Sequence, residues 1–238
     1  MVPAVSAKIH SLVSSGKWVK VNFSRWASPC LGKKKDGSYQ VVVDLKRSIN
    51  KWLKVDVHHL LKLEVIFATL SGGVYYCVLD PADAYTQLAL DEESQDLFTI
   101  KTHKGLFRST RLLYGAASAP AIFQNVMDTV LQNISNVCCY LDDRIIQGSD
   151  FQSCLRTVHA VLKRLNDLNV RLRQDKCIWF AKSVEHLGHE ISAEGRSPSK
   201  RLTEAIINFK SPNEIKSLRS YRGLLNFYSF FCQTLARY

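Results

Sequence analysis

Residues 137–146 admit few backbone arrangements, because two strand-like apolar halves enclose an acidic pair. The segment reads VCCYLDDRII, with Asp142 and Asp143 between residues that favour β-strands. An apolar run, a polar tip and a second apolar run are typical of a β-hairpin. The segment therefore predicts two antiparallel strands with two carboxylates at the turn. The alternative is a purely structural turn, since Asp is a common turn residue.

A third carboxylate follows a second strand-like run. Residues 74–79 read VYYCVL, a short apolar stretch that predicts a buried strand, and Asp80 comes directly after it. Carboxylates beside apolar strands lose hydration, and several together repel one another unless a cation lies between them. Mg²⁺ prefers oxygen ligands and is commonly bound by one or two carboxylates together with substrate phosphates. If the two strands are neighbours, the three aspartates can hold a pair of ions of the kind that polymerases use.

The rest of the chain mixes strands and helices without regular βαβ alternation, which predicts an α+β fold. The dipeptide Asp36-Gly37 is a hairpin signal before the strand-like residues 39–43, and residues 87–90 and 96–102 are predicted as further strands. Helices are predicted after Ser118, with Pro120 in the first turn; over residues 152–169; after Ser197-Pro198; and after Ser211-Pro212-Asn213-Glu214, interpreted as a capping box.

The charge balance makes nucleic acid the first partner to consider. Thirty-two Lys and Arg residues face twenty-one Asp and Glu, for a net charge of +11 and an isoelectric point near 9.4. Such an excess attracts polyanions through counterion release. Charge alone is equally compatible with a basic protein that binds no nucleic acid.

The cysteine spacing and the hydropathy indicate a soluble intracellular protein. The seven cysteines show neither zinc-binding spacing nor a dense disulfide pattern, which suits reduced thiols in cytosol or nucleus. The first residues lack the apolar core of a signal peptide, and no apolar run approaches the ~18 residues that a membrane helix needs. We therefore expect no membrane association. The sequence does not indicate the oligomeric state.

From about Gly16 to Phe231 the chain resembles the reverse transcriptases of gypsy-like long-terminal-repeat retrotransposons, which are related to the retroviral enzymes. At least six motifs occur in the family's order, so the resemblance is specific. They are FSRWASP (23–29), KKKDG (33–37) with DLK (44–46) to Asn50, LDPADAY (79–85), GAASAPAIFQ (115–124), YLDD (140–143), KC (176–177), LGH (187–189) and LLNFY (224–228).

The resemblance implies a right-hand polymerase fold with fingers, palm and a partial thumb. Residues 1–191 would form fingers and palm, and 192–238 the truncated start of the thumb or connection. The fingers would lie mainly in residues 1–72 and 92–113, and the palm mainly in 73–91 and 114–191. The implied function is that of an RNA-directed DNA polymerase core of a retrotransposon Pol polyprotein. Its implied partners are an RNA or DNA template with a primer, and deoxynucleoside triphosphates.

The resemblance also assigns residue roles. Asp80, Asp142 and Asp143 would be catalytic and bind two Mg²⁺ ions, for which Mn²⁺ can substitute. Lys34, Gln40, the backbone amides of Asp83 and Ala84, Tyr85 and Tyr114 would contact the incoming nucleotide, Tyr85 by excluding a ribose 2′-hydroxyl. Leu187, Gly188 and His189 would grip the primer end.

Four positions depart from the family's pattern. Gln40 replaces an arginine that reaches the triphosphate, so a bidentate cationic contact becomes a neutral amide. Arg144 follows the acidic pair in place of an aliphatic residue, and would either neutralise an aspartate or need burial on the apolar side of the hairpin. Pro81 follows the first aspartate, and Leu113-Tyr114 replaces a Pro-Phe pair.

These departures favour an alternative, a catalytically inactive polymerase fold that at most binds nucleic acid. A further alternative, an RNA-dependent RNA polymerase, shares the palm carboxylates. Tyr85 and the segment Leu187-Gly188-His189 speak against it.

Overall fold

The computed structural model of the protein describes residues 2–35, 38–54, 62–141 and 143–231, without the side chains of residues 2, 33–40 and 230. The turn predicted at Asp36-Gly37 and the predicted metal ligand Asp142 lie outside the described residues. Helices and strands alternate irregularly along the chain, which confirms the predicted α+β class. None of the helices in the described ranges has the length and apolarity that a membrane crossing requires.

Twelve strands are found in the described part of the chain. They are β1 (Trp18–Val21), β2 (Ser28–Lys35), β3 (Ser38–Val43), β4 (Tyr75–Leu79), β5 (Thr99–Thr102), β6 (Gly105–Ser109), β7 (Val137–Tyr140), β8 (Asp143–Gly148), β9 (Ile178–Ala181), β10 (Ser183–His186), β11 (His189–Ser192) and β12 (Gly195–Pro198).

Seven α-helices and four short 3₁₀ segments connect these strands in the same described ranges. The helices are α1 (Val2–Ser14), α2 (Leu63–Leu70), α3 (Glu92–Leu97), α4 (Ala119–Val130), α5 (Phe151–Asp167), α6 (Lys200–Ile207) and α7 (Ile215–Phe227). The 3₁₀ segments are Ile49–Lys51, Ala84–Gln87, Gln174–Lys176 and Ser229–Phe231.

The strands form three sheets. The first has the order β1-β6-β5-β2-β3, with β2 and β5 parallel and all other neighbours antiparallel. The second has the order β7-β8-β4-β9 and is fully antiparallel. The third is the antiparallel meander β10-β11-β12. Both predicted strand pairs, β2 with β3 and β7 with β8, are confirmed.

The second sheet is covered on both faces, because the side chains of β4 alternate between two cores. Cys77 and Leu79 pack on one face with residues of α4 and α5, and Tyr76 packs on the other face with residues of α2. Gly148 at the end of β8 permits close packing of α5. A Cβ atom there would lie only 2.4 Å from the backbone nitrogen of Cys154. Burial of β4 on two sides fixes the strand end that carries Asp80.

One predicted strand is wrong and a second is wrong in part. Residues 87–90 do not form a strand, because the chain turns at Asp83 (φ +50°) into the 3₁₀ segment Ala84–Gln87, and only Ala89 makes an isolated bridge, to Arg111. Residues 96–102 begin in α3, since the Asp91 side chain accepts a hydrogen bond from Ser94 N and caps that helix. The strand β5 starts only after it.

The helices near the end of the described chain begin later than predicted. Ser197-Pro198 lies in β12, and α6 starts behind it with Ser199 as its N-cap, accepting from Leu202 N at 3.3 Å. The helix predicted directly after Ser211 begins only after Glu214, where Ser217 Oγ is bonded to Glu214 N at 3.3 Å. The capping box is therefore formed by Glu214 and Ser217, and the prediction that Ser211 and Glu214 form it is wrong.

Candidate active site

Asp80 and Asp143 lie at the adjoining ends of β4 and β8. The register of this antiparallel pair runs from Tyr75↔Gly148 to Leu79↔Arg144. One further step along the same register brings Asp80 opposite Asp143. Residues at such opposed positions have Cα atoms about 4.5–5.5 Å apart. The two aspartates, 63 positions apart in the sequence, therefore lie at the same end of this strand pair.

Asp80 is paired with an arginine that the sequence did not indicate. Its Oδ1 accepts hydrogen bonds from Arg173 Nη2 at 2.8 Å and Arg173 Nε at 3.2 Å. Both side chains are partly accessible, Asp80 to 29% and Arg173 to 42%. The hydrogen bond to Asp80 raises the pKa of Arg173 above its ordinary value, and the charges of Asp80 and Asp83 act in the same direction.

Asp143 has a different partner, His186, at the end of β10. His186 Nδ1 lies 3.4 Å from Asp143 Oδ2. The imidazole is almost fully buried, with 2% of its side chain exposed, whereas Asp143 is 54% exposed. The contact connects the hairpin tip to the third sheet. Nothing local in the sequence marks His186, which lies 43 positions after its partner.

Gln124 of α4 holds the hairpin that carries the acidic pair. Its Nε2 donates to the Cys139 carbonyl at 3.0 Å and to Asp128 Oδ1 at 2.8 Å, and its Oε1 accepts from Leu141 N at 2.6 Å. The residue is only 1% exposed. Gln124 lies three positions before Met127, on the apolar face of the helix. A polar residue buried on such a face needs hydrogen-bond partners, and this pattern could have identified Gln124 from the sequence.

Tyr140 pairs with Asp143 at the end of the hairpin, and Leu141 follows Tyr140 in the turn. Leu141 has φ +53°, a conformation that turns of this length require but that residues with a Cβ rarely adopt. The bonds from Gln124 therefore hold a strained residue next to the predicted ligand Asp142. Asp83, three residues after Asp80, is one of seven non-glycine residues with positive φ in the described ranges. Such strain is frequent at functional sites.

Arg144 is buried in the hairpin rather than directed to solvent. Its side chain is fully inaccessible, its guanidinium carbon lies 4.9 Å from the centroid of the Phe123 ring, and its Nη2 donates to the Leu141 carbonyl at 3.4 Å. Of the two outcomes that the sequence left open, burial on the apolar side is found. Burial raises the pKa of the neighbouring Cys139 to about 11, and the charge of Arg144 opposes this rise.

The residues predicted to contact a nucleotide are only partly brought together. The Tyr85 ring lies 4.8 Å from that of Tyr114 and 5.4 Å from that of Phe123. Asp83 and Ala84 connect β4 to this aromatic group through the 3₁₀ segment. Pro81 lies outside β4, where it forms an isolated bridge with Leu172, so it removes no bond from the ladder between β4 and β8. The side chains of Lys34 and Gln40 lie outside the described residues.

The predicted primer-contacting segment is a tight turn backed by aromatic rings. Leu187 (φ +48°) and Gly188 (φ +78°) form the loop between β10 and β11. A Cβ atom on Gly188 would lie 2.9 Å from Leu202 Cδ1, which explains a glycine there. The His189 ring is buried among aromatic side chains and is bonded to the Leu187 carbonyl at 3.0 Å. These aromatic residues are Phe67, Phe227, Tyr228 and Phe231.

The donor set suits a hard divalent cation. Asp80 and Asp143 supply carboxylate oxygens, the ligands that Mg²⁺ and Mn²⁺ prefer, at accessible positions on adjacent strand ends. Within the described ranges no group of three or more potential metal ligands is present, and the third predicted carboxylate, Asp142, lies outside those ranges.

Comparisons with known proteins agree with this architecture. Residues 32–191 match the family model described as reverse transcriptase (RNA-dependent DNA polymerase). Among curated relatives, the Caenorhabditis elegans protein K02A2.6 is 35% identical over 97% of this chain. The retrovirus-related Pol polyproteins from the Drosophila melanogaster transposons 297 and 412 are 31% and 30% identical over 90% and 100% of it. The chain spans only about a fifth of the length of these relatives, 18–20%.

Solved structures show the same fold. The foamy viral protease–reverse transcriptase in complex with double-stranded DNA has a TM-score of 0.85 and 25% identity, covering 95% of this chain and 40% of that one. The native prototype foamy virus protease–reverse transcriptase has a TM-score of 0.73 and 26% identity, covering 98% and 31%. The predicted right-hand polymerase fold is thereby confirmed. The chain belongs to the reverse transcriptase (RNA-dependent DNA polymerase) family.

Proposed function

We propose that this chain is the polymerase core of a reverse transcriptase that adds deoxynucleotides to a primer on an RNA or DNA template. The observation that carries the proposal is the register of β4 and β8, which puts Asp80 and Asp143 at adjoining strand ends. Asp142 directly precedes Asp143 in the sequence, and we include it as the third carboxylate of the site.

The three carboxylates would hold two divalent ions, Mg²⁺ or Mn²⁺. Bound there, the ions would supply activation of the primer 3′-hydroxyl and stabilisation of the leaving pyrophosphate. The protein's part is to neutralise the charge of the phosphates and to position the reacting groups, the two effects that dominate catalysis of phosphoryl transfer. Gln124 serves that purpose by fixing the hairpin, and burial of β4 on both faces fixes Asp80.

Tyr85 would discriminate against ribonucleotides. Its ring is supported by the rings of Tyr114 and Phe123, so it cannot shift easily to admit a 2′-hydroxyl. The backbone amides of Asp83 and Ala84, with Lys34, would receive the triphosphate. Gln40 would offer it only a neutral hydrogen bond.

The nucleic-acid partner is supported by the net charge of +11 and by relatives that bind such ligands. The foamy viral enzyme has been solved with double-stranded DNA and with an RNA/DNA hybrid. Leu187 and Gly188 would contact the primer end through their backbone, because the His189 ring is buried. The fingers, palm and thumb ranges given above, and the gypsy-like origin, are part of this proposal.

Primer extension tests the function. The chain would be incubated with a primed RNA or DNA template, deoxynucleotides and Mg²⁺ or Mn²⁺. Asp80→Asn and Asp142→Asn would serve as controls of nearly unchanged shape. We expect extension by the unaltered chain and a loss of at least a hundredfold in each variant, on the order of what removal of one electrostatic stabiliser costs. Equal extension by all three proteins would refute catalysis at this site.

The second candidate function is nucleic-acid binding without catalysis. The observation in its favour is the pairing of Asp80 with Arg173, together with Gln40 at a position where a cation is expected. Salt-dependent binding of primed template without any incorporation would support it. Incorporation of ribonucleotides as readily as deoxynucleotides would instead indicate an RNA polymerase.

A further inference from the structure

Backbone pairing holds Arg173 next to Asp80. Arg173 N donates to the Asp80 carbonyl at 2.8 Å, Ala82 N donates to the Arg171 carbonyl at 2.9 Å, and Pro81 and Leu172 form an antiparallel bridge. The segments 80–82 and 171–173 are thus paired residue by residue. The guanidinium reaches the carboxylate from a backbone that is already fixed.

The guanidinium occupies one of the two Asp80 oxygens that a metal ion could use. Both Nε and Nη2 of Arg173 donate to the same atom, Oδ1 of Asp80. A divalent cation bound there at the ~2.0–2.1 Å usual for Mg²⁺ would lie close to a fixed positive charge. Hydrogen bonding by the guanidinium and coordination of a metal therefore oppose each other. With 42% of its side chain exposed, Arg173 has solvent-accessible space into which it can withdraw.

We propose that Arg173 is the counter-ion of Asp80 in the metal-free enzyme and competes with divalent cations for its carboxylate. The inference rests on the proposed function only in taking Asp80 as a metal ligand. It makes Arg173 a determinant of metal affinity. The opposite role, in which Arg173 orients Asp80 for the metal, predicts the opposite effect of its removal.

Mn²⁺ binding to the full chain, measured by electron paramagnetic resonance without nucleic acid or nucleotide, tests the proposal. The variant Arg173→Met removes the cation and keeps an unbranched side chain. Arg171→Met is the matched control, because it removes an exposed cation two residues away whose hydrogen bond to residues 80–82 is made by its backbone carbonyl. Asp80→Asn and the double variant Asp80→Asn/Arg173→Met show how much of the Mn²⁺ binding depends on the Asp80 carboxylate.

We expect Arg173→Met to bind Mn²⁺ on the order of five- to tenfold more tightly, from loss of a competing ion pair and of a like charge near the metal. Arg171→Met should change affinity less than twofold, and in the Asp80→Asn background Arg173→Met should add no such gain. Unchanged or weaker binding by Arg173→Met would overturn the proposal. If Asp80→Asn leaves Mn²⁺ binding intact, Asp80 is no ligand, and both this inference and the proposed metal site are wrong.

A second measurement uses the unaltered chain, in case Arg173→Met folds poorly. The side-chain Nε–H of Arg173 would be followed by ¹⁵N nuclear magnetic resonance and assigned with Arg173→Lys. Added Mg²⁺ should shift this signal and accelerate its exchange with water, because the bond to Asp80 is broken. A signal unaffected by Mg²⁺ at concentrations that bind would contradict the competition. Neither measurement depends on polymerase activity, so failure of primer extension leaves them interpretable.

Discussion

Replacing Gln124 by methionine should loosen the hairpin that carries the acidic pair. Methionine has nearly the shape of glutamine but no polar amide, so the core of α4 and the second sheet stays filled. The Cys139 carbonyl and the Leu141 amide lose their bonds to this side chain. Leu141, at φ +53°, then keeps its strained turn without that support.

The cost can be worked from these bonds. Each buried backbone group that is left without a partner costs about 1–3 kcal/mol. Two such groups are left without a partner, and water can reach the partly exposed loop and bond to one of them in part. We therefore expect the free energy of unfolding to fall by about 3 kcal/mol. For a chain of this length that corresponds to a fall in melting temperature of roughly 6–12 °C.

Chemical denaturation and hydrogen exchange would measure the effect. Gln132→Met is the matched control, since Gln132 is an exposed glutamine outside the hairpin. We expect the control to change stability by less than about 0.5 kcal/mol. The amide of Leu141 should exchange faster with solvent in Gln124→Met. Primer extension should also fall at temperatures where Gln124→Met is still fully folded. A cost of Gln124→Met no larger than that of Gln132→Met would refute the role assigned to these bonds.

Three further perturbations follow from the same structure. Gly188→Ala should lower the melting temperature by several degrees, because its Cβ would contact Leu202 Cδ1 at 2.9 Å and its φ of +78° disfavours alanine; thermal denaturation measures this. Burial lowers the pKa of His189 below its ordinary 6.5. The buried neutral imidazole therefore contributes fully to the stability of the fold above pH 6.5, and this contribution is lost as the pH falls from 6.5 through the lowered pKa. The melting temperature should therefore fall less between pH 7.5 and 5.5 in His189→Phe than in the unaltered chain, whereas His159→Gln, on an exposed face of α5, should behave like the unaltered chain. Reverting Arg144→Ile together with Gln40→Arg should raise primer extension, and no gain would show that these departures do not limit activity.

Local sequence patterns predicted the parts of the fold that are determined by residues close together in the sequence. The apolar run before Asp80 and the two halves around Asp142-Asp143 are strands because β-forming residues are buried on a sheet. The predicted strand at 87–90 failed because the chain turns at Asp83 into a 3₁₀ segment, and the β-forming residues after Asp83 outweighed the turn tendency of Asp in the prediction. The early part of 96–102 failed because a capped helix competed with the strand.

The partners of the carboxylates could not be predicted in this way. Arg173 lies 93 positions after Asp80 and His186 lies 43 after Asp143, and neither has a local pattern that distinguishes it from other basic residues of the chain. Their positions follow from the pairing of strands and loops, which only the folded chain defines. Gln124 is intermediate, since a polar residue on an apolar helix face is recognisable, but its bonds to Cys139 and Leu141 are not.

The partners also change how the acidic site should be understood. Carboxylates that repel one another were the reason to expect a cation between them. In the structure the Arg173 guanidinium lies 2.8 Å from Asp80 Oδ1 and relieves part of this repulsion, and the His186 imidazole lies 3.4 Å from Asp143 Oδ2. The fold can therefore be stable without metal while the same carboxylates remain accessible at 29% and 54%. Stability and metal binding are separable properties of this site, and a variant such as Arg173→Met is expected to shift them in opposite directions.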